Sequence, residues 1–252
     1  MKLYFNGCSH TVGICSDLHN IEQTYPYKLS KILNAEFINS ALPRSSNNRI
    51  VRTTIEDICS MEQLPDVAII QWTYYDRFES PVLTNEFEYA RIAWKDYRLR
   101  DLEWKQFNPS AMNKNTENTS VEKDYIENKP NAFNSFFTNV ISLDNFLINK
   151  NIRPVHMFFP GSKWLRINNS TVKNLLGNCN KNNFLNLPFI GIETYLEDKD
   201  YKRASDYHFL EPAHDQIANW LKDFILYNKP VQYEVKESDR ISNKDKVYIY
   251  QG

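Results

Sequence analysis

The sequence has no long apolar run, no excess of one charge and no paired-cysteine motif, and each absence excludes a class of protein. A membrane-spanning helix needs an apolar run of about eighteen residues or more. A signal peptide is basic at its start and then apolar, and neither pattern is present. The formal net charge of −1 argues against a dedicated nucleic-acid-binding protein, which normally carries a basic face. We therefore expect a cytoplasmic protein with no nucleic-acid partner and no contact with a membrane.

The four cysteines are scattered along the chain, at Cys8, Cys15, Cys59 and Cys179. They lack the spacing of a zinc or redox site, and in a reducing compartment we expect four free thiols. Cys8 and His10 could combine with His208 and His214 as metal ligands, but their spacing matches no closed zinc-binding pattern. The sequence therefore predicts no metal site and no cofactor.

Short apolar runs recur along a chain that is 42% hydrophobic and 14% aromatic, which is enough to build a sizeable core. The runs cover residues 3–6, 36–39, 67–72 and 154–159, with a weaker one near 184–190. Their apolar residues are mostly continuous rather than alternating. This pattern is typical of strands that are buried on both faces of a parallel sheet.

Helical patterns lie between these runs, and the clearest is the last one. Pro212 suits a first helical turn, and Ile217, Leu221 and Phe224 recur at helical spacing after it. Alternating strands and helices imply right-handed crossovers. The sequence therefore predicts an α/β fold, a three-layer sandwich around a central parallel sheet of five strands.

Two segments fall outside this alternation. Residues 80–130 are long, polar and rich in asparagine, and we interpret them as an insertion after the third strand. Residues 229–252 are charged and could be an arm that pairs with another chain, an added edge strand or a loose tail. The sequence thus predicts one domain over residues 1–228, with an insertion at about 80–130 and a C-terminal extension.

Polar residues follow the predicted strands at the points where the strands end. Ser9 follows the first, residues 39–47 the second and residues 72–79 the third, while Asp206 and His208 follow the weak last one. Ligands bind at the carboxyl ends of strands in open parallel sheets, so we expect these loops to form one rim. A serine, a histidine and an acid are the parts that serine-nucleophile catalysis needs.

These segments resemble the conserved blocks of the SGNH (GDSL-like) hydrolase superfamily. Gly7-Cys8-Ser9 looks like the Gly-Asp-Ser of its first block, with Cys8 in place of the acid. Residues 39–47 resemble the second block, and residues 206–214 the last. The first block, the Ser-Ser-Asn loop and the Trp-Thr stretch are also similar to uncharacterised proteins of tailed phages and bacteria.

The resemblance covers residues 1–80 and 131–227 and implies the flavodoxin-like fold of SGNH hydrolases. It also implies that Ser9 is the nucleophile, that His208 is the general base and that Asp206 orients the imidazole. The backbone N–H of Ser9 would be one donor to the oxyanion.

The chain departs from the superfamily pattern at the remaining oxyanion donors. The second-block glycine falls at Arg44, and the third-block asparagine falls at Tyr74 or Tyr75. Asn47, Thr73 or the Tyr74 hydroxyl could replace the missing donor. Loss of one such donor costs about 10²–10³-fold in rate, so we keep weak or lost activity as an alternative.

Two further departures concern charged residues. Asp206 precedes His208 by two residues instead of the usual three. Arg77 and Glu79 could clamp an anionic or sugar substrate, or form an ion pair that braces the rim.

These observations lead to one hypothesis and one alternative. The chain is expected to be a serine esterase that hydrolyses an O-acyl ester of a small molecule or carbohydrate. The alternative is a catalytically weak or inactive binding or structural protein with the same fold. A composition rich in asparagine, lysine, isoleucine and tyrosine suggests an AT-rich genome, such as that of a virus.

Overall fold

The structure is a computed structural model that describes residues 1–13, 20–74, 77–81, 104–107, 129–160, 174–175, 177–186 and 191–232. For residues 78–81, 104–107 and 129–133 it describes the backbone alone. Most of the predicted insertion and of the C-terminal extension therefore lies outside the described residues, as do Cys15 and Tyr75.

The described elements alternate between strands and helices. The strands are β1 (Lys2–Asn6), β2 (Glu36–Asn39), β3 (Val67–Trp72), β4 (Phe78–Pro81), β5 (Trp104–Phe107) and β6 (Arg153–Phe158). The helices are α1 (Ser9–Val12), α2 (Tyr25–Ile32), α3 (Asn47–Ser60), α4 (Lys129–Asn149), α5 (Ile192–Asp198) and α6 (Glu211–Tyr227). Short 3₁₀ turns cover Ile21–Gln23 and Lys181–Asn183. No helix among the described residues is long and apolar enough to cross a membrane.

Four strands form a parallel sheet in the order β2-β1-β3-β6. The predicted α/β fold with a parallel sheet is therefore confirmed. Strands β4 and β5 form a separate antiparallel pair, in which β4 ends at the start of the predicted insertion and β5 lies within it.

The predicted fifth strand is not confirmed. One parallel bridge joins His156 to Phe184, and the backbone N–H of Leu185 donates to the carbonyl of His156 at 2.9 Å. Beyond it, the side chain of Asn186 accepts from the N–H of Phe158 at 3.0 Å and donates to its carbonyl at 2.9 Å. At this point of the sheet edge a side-chain amide makes the contacts that a further strand would make. Residues 187–190 of the predicted strand lie outside the described part of the chain.

The sheet is buried on both faces because alternate side chains enter different cores. Leu3, Phe5 and Ile69 pack with α2, α5 and α6 on one face. Tyr4 and Ile70 pack with α3 and α4 on the other. Helices, sheet and helices thus form the three predicted layers.

A glycine joins β1 to α1 because a side chain there has no room. A Cβ atom added at Gly7 would lie 2.7 Å from Oε1 and 2.8 Å from Cβ of Gln71. Gln71 belongs to the neighbouring strand β3 and is fully buried. The close approach of the two segments therefore depends on the absence of a side chain.

We expect Gly7→Ala to destabilise the fold by about 1–3 kcal/mol, the usual cost of overpacking a core. Urea unfolding followed by circular dichroism measures this difference. Gly177→Ala is the matched control, since no atom of the described residues lies within 4 Å of a Cβ built there. Equal midpoints for the two variants would contradict the close approach at Gly7.

Candidate functional site

Ser9 is the first residue of α1, a single helical turn that follows β1. The turn is held from β3, because Oε1 of Gln71 accepts from the Cys8 N–H at 3.0 Å and from Oγ1 of Thr11 at 2.7 Å. The Thr11 hydroxyl also lies 2.7 Å from the Tyr25 hydroxyl. A buried amide in strand β3 thus fixes the position of Ser9. Sequence analysis missed Gln71, although it is the one polar residue in an otherwise apolar run.

His208 meets Ser9 although the two residues are 199 positions apart in sequence. Nε2 of His208 lies 2.7 Å from Oγ of Ser9. This distance is within the reach that a general base requires. The two ends of the chain are therefore brought together, as the sequence analysis expected.

Asp206 lies beside the imidazole without a well-formed hydrogen bond to it. Its Oδ1 is 3.3 Å from Nδ1 of His208 and accepts from the backbone N–H of the same residue at 3.2 Å. Nδ1 itself is buried and has no hydrogen-bond partner among the described residues. We treat the contact as electrostatic, because its length suits an ion pair but its geometry does not suit a hydrogen bond. The Asp206 side chain is 37% exposed, which weakens the interaction further.

An arginine holds the loop that carries His208. Nη1 of Arg203 donates to the carbonyl of Tyr207 at 2.6 Å. Its Nη2 donates to Glu193 at 2.6 Å and to Glu197 at 2.8 Å, both on α5. Tyr207 has φ +67°, a left-handed backbone conformation that residues other than glycine rarely adopt. Sequence analysis missed Arg203, because no spacing links it to the acids of α5.

His10 packs beside His208 as an uncharged ring. Its ring stacks on Phe159 with centroids 3.9 Å apart and lies 4.7 Å from the ring of His208. Burial, followed by the nearby charge of His208, holds the pKa of His10 well below its usual range. His10 therefore stays uncharged at neutral pH and does not compete with His208 for a proton.

The structure gives Asn47 a bridging contact. Its Nδ2 donates to the carbonyls of Thr73 and Tyr74, both at 3.2 Å, and its Oδ1 accepts from the Thr73 N–H at 2.9 Å. Both amide hydrogens are thus used to fasten the end of β3 to the start of α3. This leaves none for an oxyanion, for which sequence analysis named Asn47 as one of three candidate donors beside Thr73 and the Tyr74 hydroxyl.

The other predicted rim residues lie on the two loops beside Ser9. The loop of Arg44 is joined to the Ser9 loop by a hydrogen bond from the Leu42 N–H to the Gly7 carbonyl at 3.2 Å. Arg44 is exposed and has φ +63°, the conformation that favours the glycine expected from the superfamily pattern. Tyr74 donates to Glu193 at 3.4 Å, and burial followed by the Glu193 charge raises its pKa to about 12.

Arg77 donates through Nη1 to Oγ1 of Thr73 at 2.8 Å. Its guanidinium lies 5.0 Å from the ring centre of Tyr74. The side chain of Glu79, its predicted partner, lies outside the described residues. Among the described residues, the ion pairs that brace this rim join Arg203 to Glu193 and Glu197.

A second histidine–aspartate contact lies in the core, away from Ser9. Nε2 of His156 is 3.0 Å from Asp144, and its Nδ1 accepts from the indole N–H of Trp72 at 3.1 Å. All three side chains are buried. Among the described residues, no group of three or more potential ligands could hold a metal ion.

The family model that describes a family of unknown function, DUF6071, matches residues 15–163, more than half of the chain. The chain belongs to DUF6071. The matched residues begin after Ser9 and end before Asp206, so the family match does not cover the proposed triad. A comparison with curated proteins finds no match.

Solved structures show the fold that this DUF6071 protein shares with other proteins. The psychrotrophic esterase EstA from Pseudoalteromonas sp., inhibited by monoethylphosphonate, is 12% identical, with a TM-score of 0.50 over 89% of this chain and 96% of its own. A carbohydrate esterase family 2 enzyme from Corynascus thermopiles (Myceliophthora fergusii) is also 12% identical, with a TM-score of 0.50. That match covers 90% of this chain and 66% of the enzyme, which carries an additional carbohydrate-binding domain.

His214 supports the site from the first turn of α6. Its Nδ1 accepts from the Tyr25 N–H at 3.2 Å, and the two rings stack 5.9 Å apart. Burial, assisted by the charge of Lys28, lowers its pKa from 6.5 to about 4. The folded protein therefore binds this proton less readily than the unfolded chain does.

We expect the free energy of unfolding to fall as the pH drops from about 6.5 towards 4, because only the unfolded state takes up the proton in that range. His214 can contribute up to about 3 kcal/mol to this fall, and His10 adds to it with the same sign. Urea titrations between these pH values measure the slope. The slope should be smaller in His214→Gln, whose amide oxygen can still accept the Tyr25 N–H. Parallel curves for the two proteins would contradict the assignment.

Proposed function

We propose that the protein is a serine hydrolase of the SGNH type that cleaves O-acyl esters of small molecules or carbohydrates. The observation that carries the proposal is the 2.7 Å contact between Oγ of Ser9 and Nε2 of His208. A serine hydroxyl is a poor nucleophile unless a base within hydrogen-bond distance takes its proton. The fold shared with EstA and the carbohydrate esterase supports the same reaction class.

In the proposed reaction Oγ of Ser9 attacks the ester carbonyl while Nε2 of His208 takes the hydroxyl proton. The tetrahedral intermediate collapses, His208 returns the proton to the leaving alcohol, and the acyl group stays on Ser9. Water, deprotonated by the same imidazole, then releases the carboxylic acid and restores the serine. No cofactor takes part.

Backbone groups are the proposed oxyanion donors. The N–H of Ser9 lies at the start of α1, where a helix leaves its first N–H groups without an intrahelical acceptor. The adjoining Arg44 loop would supply the second donor from its backbone. The Asn47 side chain is not available, so this hole depends on fewer donors than the superfamily pattern provides.

Two observations favour the alternative of a weak or inactive binding protein. Nδ1 of His208 has no hydrogen-bond acceptor among the described residues, and both amide hydrogens of Asn47 are donated to carbonyls. Both reduce stabilisation of the transition state. A virus as the source remains a prediction from composition.

We expect purified protein to hydrolyse para-nitrophenyl acetate and to be labelled by a fluorophosphonate probe. Ser9→Ala should lower kcat by at least about 10³-fold and abolish labelling. Ser60→Ala is the control that should keep both the activity and the labelling, because Ser60 is the last residue of α3, at the end away from Asn47. A wild-type protein that is folded but neither labelled nor active would support the inactive alternative.

Asp206→Asn should have a smaller effect than removal of the nucleophile. The asparagine oxygen can still accept from the backbone N–H of His208. The lost carboxylate is 37% exposed and lies 3.3 Å from Nδ1 without a well-formed hydrogen bond to it. We expect kcat to fall by about 10- to 100-fold, against about 10⁴-fold where a buried acid holds the imidazole. Steady-state kinetics on the same ester measure this, and a loss as large as that of Ser9→Ala would show that Asp206 is fully engaged during turnover.

A further inference from the structure

Two arginines lie near the candidate site, and they differ in how their charge is balanced. Arg203 is paired with Glu193 and Glu197. Arg77 has no carboxylate partner among the described residues, although it is not fully exposed. A partly desolvated cation without a partner costs free energy, and a bound anion would offset that cost.

Arg77 lies at the edge of the sheet where Ser9 is found. It is anchored to Thr73, the residue that follows β3, and β3 is the direct neighbour of β1, which leads to Ser9. The carboxyl ends of parallel neighbours share one edge. The Arg77 charge also contributes to the lowered pKa of His10, the residue after Ser9. Its guanidinium is thus within electrostatic reach of the proposed reacting groups.

The orientation of the guanidinium is set by two contacts. Nη1 donates to Thr73, and the group lies over the ring of Tyr74. Nε is buried and has no hydrogen-bond partner in the part of the chain that the structure describes. Nε and Nη2 form the side of the fork that can donate to both oxygens of a carboxylate. A ligand carboxylate would supply both the missing charge and the missing acceptor.

We propose that Arg77 binds a carboxylate of the substrate, so that the esters cleaved at Ser9 carry a carboxylate on their acyl or alcohol part. This inference rests on the proposed function for its reaction, while the binding site itself rests on Arg77. Neutral esters would then be poorer substrates because they leave the guanidinium unpaired.

Two matched pairs of esters test the inference and locate the carboxylate. The first compares para-nitrophenyl hydrogen adipate with para-nitrophenyl hexanoate, which varies the acyl part. The second compares para-acetoxybenzoate with its methyl ester, which varies the alcohol part. We expect kcat/KM for the carboxylate ester to exceed that of its neutral partner at least about tenfold in one pair, mainly through KM. Ratios near one in both pairs would overturn the inference.

Arg77→Met should reduce that ratio by about tenfold, and Arg77→Lys, which keeps the charge but lacks the fork, should fall between the two. Arg52→Met, which removes an arginine from the outer part of α3, should leave the ratio unchanged. Thermal unfolding checks that each variant is folded. A ratio that is the same in Arg77→Met and in the wild type would overturn the inference.

Binding to the Ser9→Ala protein separates this inference from the proposed function. Calorimetry with para-acetoxybenzoate and hydrogen adipate esters should show affinity that weakens when Arg77→Met is added. If the wild type hydrolyses no ester but binding still depends on Arg77, the proposed function fails and the carboxylate site stands. Binding that is unaffected by Arg77→Met would overturn the site, whatever the activity.

Discussion

The carboxamide of Gln71 joins the central strand β3 to the loop that presents Ser9. Its oxygen accepts from the backbone of Cys8 and from the Thr11 hydroxyl, and its Nε2 donates to the carbonyl of Trp72 at 3.0 Å. A buried amide that loses such partners pays the full cost of desolvation, so strand and loop constrain each other strongly. The absence of a side chain at Gly7 is what allows the two to approach. The position of Ser9, and with it the contact to His208, depends on this one side chain.

The described residues include two histidine–aspartate contacts, and they illustrate opposite uses of the same pair. His156 is fully buried, accepts from Trp72 and lies 3.0 Å from Asp144, which also accepts from Asn183 at 2.7 Å. Such a satisfied network fixes the packing of the core. His208 is partly exposed and its Nδ1 is only loosely approached by Asp206. Its Nε2 contacts the Ser9 hydroxyl instead of a core residue.

The parts of the structure that could be predicted from sequence are those set by hydrophobic pattern and topology. Continuous apolar runs identified β1, β2, β3 and β6, because strands covered by helices on both sides need apolar residues at every position. Parallel strands bring their carboxyl ends to one edge, which places Ser9 after β1, whereas the loop of His208 follows α5 and not the predicted fifth strand. The contacts that escaped prediction depend on single side chains that reach across the fold. Asn186 makes backbone contacts at the sheet edge, Asn47 fastens β3 to α3, and Arg203 ties the His208 loop to α5.

Tyr207 shows how such a loop constrains the residues that it can tolerate. Its side chain is 78% exposed, so the position makes little demand on packing. The demand comes from the backbone, which is left-handed here and is held there by the guanidinium of Arg203 on its carbonyl. The residues tolerated at position 207 should therefore be decided by the backbone torsion angles alone. Glycine or asparagine would be admitted readily, whereas valine and isoleucine, despite ample space, would be selected against.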